Sequence, residues 1–149
     1  SAVHSLYTFS TRLWDQTEKS PERTNTRSTR VKGIKEKQMD LYSTAVAYFD
    51  AFSAKDTERL GELYADNIYL RDWEGTYVGK YPVLKANAAL FENVEAIVVR
   101  PIALHFDTDD LTISAEIEIM ITGMDPFLVV DIIDFNSDSK IVAIRAYKG

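Results

Sequence analysis

Near the end of the chain, the apolar run FLVVDIIDF holds two carboxylates, Asp131 and Asp134. They lie three residues apart, and side chains alternate along a strand, so the two must point to opposite faces. If one looks to water, the other faces a core. Asp131 shares its face with Phe127, Val129, Ile133 and Phe135, which makes it the buried one. A carboxyl in such surroundings is either ion-paired or a chemical tool. Desolvation disfavours its charged form, and an un-ionised acid is a hydrogen-bond donor. Tyr48 raises a related question, since it falls on the apolar stripe of a helical pattern and its hydroxyl needs a partner inside.

The elements that must hold these groups follow from periodicity. In KEKQMDLYSTAVAYFDAFSA, the residues Leu41, Ala45, Tyr48, Phe49 and Phe52 recur at helical spacing. Asp56 is the expected N-cap of a short second helix carrying Leu60, Leu63 and Tyr64. NIYLRD alternates as a strand and WEGTYVG turns back as another. A third helix is expected with Pro82 in its first turn, running through Val83, Leu84, Ala88, Leu90 and Phe91. Strands follow: VEAIVVRPIALHF, where Pro101 implies a bulge; DLTISAEIEIMITG, with Leu111, Ile113, Ala115, Ile117, Ile119 and Ile121 on one face; then FLVVDIIDF and IVAIRAY. Helices first and an antiparallel meander after predict an α+β fold with three helices on one face of a curved sheet, a cone with a ligand pocket at its mouth. Arg145 on the last strand is expected to pair with Glu116 or Glu118, and His105 to be a packed or rim residue.

The chain has 149 residues, 46% of them hydrophobic, and no Cys, which removes disulfides, thiolate metal sites and a Cys nucleophile. Its apolar runs are too short to span a membrane and no secretory signal pattern opens it, so a soluble, cytoplasmic protein is expected, with no membrane partner. Residue 1 is Ser, which fits a processed or partial chain. Residues 1–38 carry a net charge of +4 and residues 39–149 a net of −10. An acidic body repels phosphate backbones, so nucleic acid is not expected as a partner. Two parts are expected: residues 1–33, a basic arm whose stretch SPERTNTRSTR has linker composition, and residues 34–149, the domain proper. Val3, Leu6, Phe9, Leu13 and Trp14 would anchor the arm by packing.

Three stretches, AYFDAFSAKD, LYADNIYLRDWEGTYVG and VVDIIDFNSDSKIVAIRAYKG, resemble the ketosteroid isomerases, within the SnoaL-like and nuclear transport factor 2-like superfamily. The resemblance covers roughly residues 39–149 and implies the cone fold of that group. It also implies roles: Tyr48 falls on the tyrosine that donates to the substrate oxygen, Asp72 on the aspartate base, and Asp131 on the protonated acid that is the second donor. A carboxylic acid kept neutral for that purpose is the known device of ketosteroid isomerases. The chemistry implied is enolisation of a small, mostly apolar carbonyl compound, with neither metal nor organic cofactor required. Phe52, Trp73, Asn87, Val129 and Ile133 would line the substrate pocket, and a homodimer formed through the outer sheet face is implied.

The sequence also departs from that pattern. Trp73 follows the expected base where the isomerases usually have Pro. Asn87 stands where some have a supporting tyrosine, and Arg71 adjoins Asp72, whose pKa it would lower if it folded back. Bland readings stand beside the functional ones: Tyr48 as a core tyrosine, Asp72 as a turn cap, Asp131 as half of a structural pair. Besides an isomerase, the sequence is compatible with a polyketide cyclase or dehydratase, or with a non-catalytic ligand-binding or assembly domain.

Overall fold

The computed structural model describes residues 25–107 and 109–149, with side chains from residue 32 onward. The aromatic residues expected to anchor an N-terminal arm lie outside the described residues. The first described helix, α1 (Asn25–Ser53), begins inside the polar stretch read as a linker and runs unbroken through residue 34. Helix propagation explains this: once the stripe from Leu41 to Phe52 has nucleated a helix, lengthening it toward the N-terminus needs no new nucleus.

Helix α1 ends in a left-handed cap. Lys55 has φ of 55°, its N–H donates to the Phe52 carbonyl at 3.1 Å, and the Asp56 N–H donates to the Ala51 carbonyl at 2.9 Å. These two bonds satisfy carbonyls that the helix end would leave orphaned. Asp56 then caps α2 (Thr57–Leu63), its side chain accepting from the Arg59 N–H at 2.9 Å. Strand β1 (Tyr64–Arg71) follows at once, then β2 (Thr76–Val78) and α3 (Lys80–Asn93), with Pro82 in its first turn as expected.

Four long strands complete the chain: β3 (Ile97–Asp107), β4 (Thr112–Ile121), β5 (Phe127–Phe135) and β6 (Ile141–Lys148). Among the described residues the sheet has six strands in the order β2-β1-β6-β5-β4-β3. Only β1 and β6 run parallel; the other neighbours are antiparallel. Three helices cover one face, the expected α+β cone. Pro101 sits at a register shift between Pro101 and Ala103, where it needs no ladder donor.

The alternation of β4 and β5 holds in full. Ile113, Ala115 and Ile117 of β4 and Val129, Asp131, Ile133 and Phe135 of β5 are buried. They meet Leu41, Ala45 and Phe49 of α1, Leu60 of α2 and Val83 of α3 in one core. Each fully buried Val, Leu, Ile or Phe among them stabilises the fold by roughly 1.5–3 kcal/mol. Arg145 does not pair with Glu116 or Glu118: β6 neighbours β5, not β4, so its guanidinium meets Asp134 at 2.7 Å, while Glu118 is held by Arg100 of β3 at 2.9 Å. His105 is exposed on the outer face. No helix among the described residues is long and apolar enough to cross a membrane.

Candidate active site

The concave face of the sheet is filled at one end and hollow at the other. At the filled end lie Ile113, Ile133, Phe135 and Ile141, all buried. At the hollow end, Val99 of β3, Ile117 and Ile119 of β4, Val129 of β5, and Ile144 and Ala146 of β6 line a cavity of about 420 Å³. Helix α1 roofs it with Tyr48, Phe49 and Phe52, and α3 with Asn87 and Leu90. Of the pocket residues expected from sequence, Phe52, Trp73, Asn87 and Val129 line this cavity and Ile133 does not. Ile133 lies one inward step past Asp131, between Ile113 and Ile144, and is wholly buried in the packed end. Strand parity gave its face correctly; how far along the face the packing closes depends on α1.

Asp131 marks the floor where the two ends meet. It is 5% exposed, and burial, then the charge of Asp72, raises its pKa from 3.8 to about 7. The Tyr48 hydroxyl faces the same space. Burial is the first cause that pushes its pKa well above the ordinary phenol value, followed by Tyr64, Asp131 and Asp72. Aromatic packing fixes the Tyr48 ring, whose centroid lies 5.3 Å from Phe49, 5.9 Å from Phe52 and 6.2 Å from Tyr64. Neither the Tyr48 hydroxyl nor the Asp131 carboxyl has a hydrogen-bond partner among the described residues, yet no buried polar atom there is both shut away and unpaired. Both groups therefore open onto the cavity they line.

Asp72 completes the group from another strand. Asp131 opposes Ala146 of β6, and Arg71 opposes Arg145, so Asp72, the next residue, falls in line with Ala146. The carboxyls of Asp72 and Asp131 thus flank the small Ala146, on backbones two strand spacings apart, about 10 Å. Asp72 Oδ1 accepts from the Glu74 N–H at 2.8 Å and the Gly75 N–H at 3.0 Å, so it is a turn cap as well as a cavity residue. That capping fixes its direction and leaves Oδ2 without a partner among the described residues. Arg71 does not fold back on it. Pointing to the outer face, its Nη2 donates to the Tyr147 hydroxyl at 2.6 Å.

Trp73 stands at the mouth, 45% exposed, edge-on to Phe127 at 6.2 Å, and does not plug the interior. The Lys148 ammonium lies 4.9 Å from the Phe127 ring and 5.7 Å from that of Trp73. One participant escaped sequence reasoning. Tyr64, assigned there to the second helix, is the first residue of β1, and its buried hydroxyl donates to Asn87 Oδ1 at 2.8 Å. Burial and Asp131 raise its pKa. Its place at the end of a Leu-Tyr pair looked like core, and the partner that makes it polar machinery lies 23 residues on, on α3.

This constellation gathers a phenol and two carboxyls around the space that a polar atom of an otherwise apolar molecule could enter. Solved structures with the same fold are numerous. One from Sinorhizobium meliloti, a protein assigned as a polyketide cyclase, is 21% identical with a TM-score of 0.65, covering 73% of this chain and 97% of that one. An LEH-like epoxide hydrolase from M. tuberculosis is 14% identical with a TM-score of 0.65, over 74% and 84% of the two chains. A protein of Kribbella flavida assigned as a ketosteroid isomerase is 14% identical with a TM-score of 0.64, over 74% and 78%. Identities this low establish the fold that they share with this chain and nothing of its reaction. No curated protein sequence matches the chain. The SnoaL-like domain model matches residues 45–144, from the first helix to the last strand and across Tyr48, Asp72, Asn87 and Asp131. The chain belongs to the SnoaL-like family.

Proposed function

We propose that the protein is an isomerase-like enzyme that moves a proton on a small, mostly apolar carbonyl compound through an enolate. The observation that carries this reading is the buried, unpartnered Asp131 carboxyl at the cavity floor, in the same space as the Tyr48 hydroxyl and across Ala146 from Asp72. In the reaction, the Asp72 carboxylate takes a proton from the carbon next to the carbonyl. The C–H electron pair becomes a carbon–carbon double bond, and the carbonyl π pair moves onto oxygen. Tyr48 and protonated Asp131 hold that negative oxygen by two hydrogen bonds, in a site from which apolar walls exclude water. Asp72, now the acid, returns the proton to a carbon farther along, and the double bond has moved.

The test is a β,γ-unsaturated ketone such as 3-cyclohexenone, followed by the absorbance of its conjugated product. Asp72→Asn is expected to lower the rate at least about 100-fold, the usual scale of a general base. Equal rates for the two proteins would remove Asp72 from the mechanism. A second reading keeps the first step and changes the second: the enolate carbon attacks a carbonyl of the same molecule, as in a cyclase. It draws support from the roomy floor at Ala146 and from the fold shared with a protein assigned as a polyketide cyclase. Product analysis separates the two, since only the second forms a carbon–carbon bond.

A homodimer is part of the same proposal. Val98, Leu128, Val130 and Tyr147 are exposed on the outer sheet face, and two copies would cover them. Sedimentation is expected to give twice the chain mass for the wild type and the chain mass for Leu128→Glu/Val130→Glu. A wild-type monomer would discard the dimer.

A further inference from the structure

Asn87 is 5% exposed, on the inward side of α3, and it lines the cavity. A buried carboxamide has four hydrogen-bonding positions to satisfy, two on each end. Tyr64 meets one end, donating to Oδ1 at 2.8 Å. The other end, Nδ2, carries two N–H donors with no partner among the described residues, and no buried polar atom there is both enclosed and unpaired. Nδ2 therefore reaches the open space of the cavity. Its direction is not arbitrary: the Tyr64 hydroxyl has one proton and needs an acceptor, and reversing the amide would take that acceptor away.

We propose that the Asn87 carboxamide is a further hydrogen-bond donor to an oxygen of the bound ligand, with Tyr64 as the positioning residue that holds its N–H groups toward the cavity. Tyr64 itself does not touch the ligand; its hydroxyl is spent on Asn87. The cavity then offers donors from both sides, Tyr48 from α1 and Asn87 from α3, against walls of Phe52, Leu90 and Val99. Such a site can hold the acceptor oxygen of an apolar body between donors on two walls. The inference rests on the reading that an oxygen-bearing molecule fills the cavity, but not on what the protein then does to it.

The probe pair is 2-naphthol and naphthalene, which share a body and differ by one oxygen. Wild type is expected to bind 2-naphthol more tightly by calorimetric titration. Asn87→Leu is expected to lose about tenfold in 2-naphthol affinity, the scale of one buried hydrogen bond, with naphthalene unchanged. Tyr64→Phe, which frees the amide to turn, is expected to lose about threefold for 2-naphthol alone. A purely structural role would weaken both ligands equally, and that result, or an unchanged 2-naphthol affinity, or a wild type without preference, overturns the inference. Should the variants not fold, the side-chain amide proton resonance of Asn87 in the wild type decides: it moves farther downfield with 2-naphthol than with naphthalene, and a resonance that the two ligands move alike sinks the proposal. None of these readouts needs turnover. A protein that fails to move a double bond but keeps this binding pattern loses the isomerase reading and retains the Asn87 donor.

Discussion

Asp131 and Asp134 sit three residues apart on β5 and live in opposite chemical worlds. On the outer face, Asp134 is half-buried and fully engaged: Arg145 donates to one oxygen at 2.7 Å and the Thr112 hydroxyl to the other at 2.7 Å. The bond to Asp134 is also what raises the pKa of Arg145 most. On the inner face, Asp131 is more deeply buried and has no hydrogen-bond partner among the described residues. A fold built for stability alone would arrange these the other way, since an uncompensated buried carboxyl is among the costliest groups to carry. The contrast separates a carboxyl tied into the sheet from one that faces the cavity.

Exchanging each acid for an apolar residue should break the comparison most visibly. Under the proposed mechanism, Asp131→Leu is expected to lower turnover by about 100- to 1000-fold, the cost of removing one oxyanion donor. It should also raise stability at pH 8 by at least about 1 kcal/mol, because a desolvated charge is lost. Asp134→Leu should do the reverse: turnover intact, stability down by about 1 kcal/mol, since Arg145 loses its mate. Urea unfolding and the enone assay on both proteins check this. Loss of turnover in both, or in neither, would erase the distinction.

Titration sharpens it further. The Asp131 carboxyl is protonated in the folded protein up to about pH 7, against 3.8 when unfolded. Its contribution to stability is therefore whole below about pH 4 and declines as pH rises toward 7. That range of three pH units corresponds to about 4 kcal/mol. Wild type minus Asp131→Asn, measured by unfolding from pH 3 to 9, should trace that decline and then level off. The same loss of a proton should give kcat/KM a falling limb near pH 7. A flat difference would mean that Asp131 is not the neutral acid. The smallest effect is expected from Thr112→Val, which takes one hydrogen bond from Asp134 and should cost about 0.5–1 kcal/mol with no change in turnover.

Much of this contrast was legible in the chain itself. A period of two assigned Asp131 and Asp134 to opposite faces, and the stripe from Leu41 to Phe52 turned Tyr48 inward. Local rules also anticipated the Asp56 cap, Pro82 in the first turn of α3 and the bulge at Pro101. What stayed hidden were facts about distance. That Ile133 is packed while Val129 lines the cavity depends on where α1 settles along the strands. Arg145 went to Asp134 because β6 inserts between β1 and β5, an order that no local pattern encodes. The Tyr64 to Asn87 bond joins a strand to a helix that only the fold brings together. The resemblance to ketosteroid isomerases supplied the roles of Tyr48, Asp72 and Asp131; the residues alone supplied only their orientation.

The irregularity between Pro101 and Ala103 lies beside Ile117 and Glu116, one step from the level of Asp131. Before it, Ile97 and Val99 look into the cavity; after it the inward parity changes, and Leu104 and Phe106 join the solid end, Phe106 stacking on Tyr42 at 6.4 Å. One strand thereby answers to two independent demands. Ile97 and Val99 ahead of the kink border open space as well as the core they share with Leu104 behind it, so a change in their size alters the cavity first. A scaffold so divided can drift toward new molecules by exchanging a few wall residues while its foundation is left untouched.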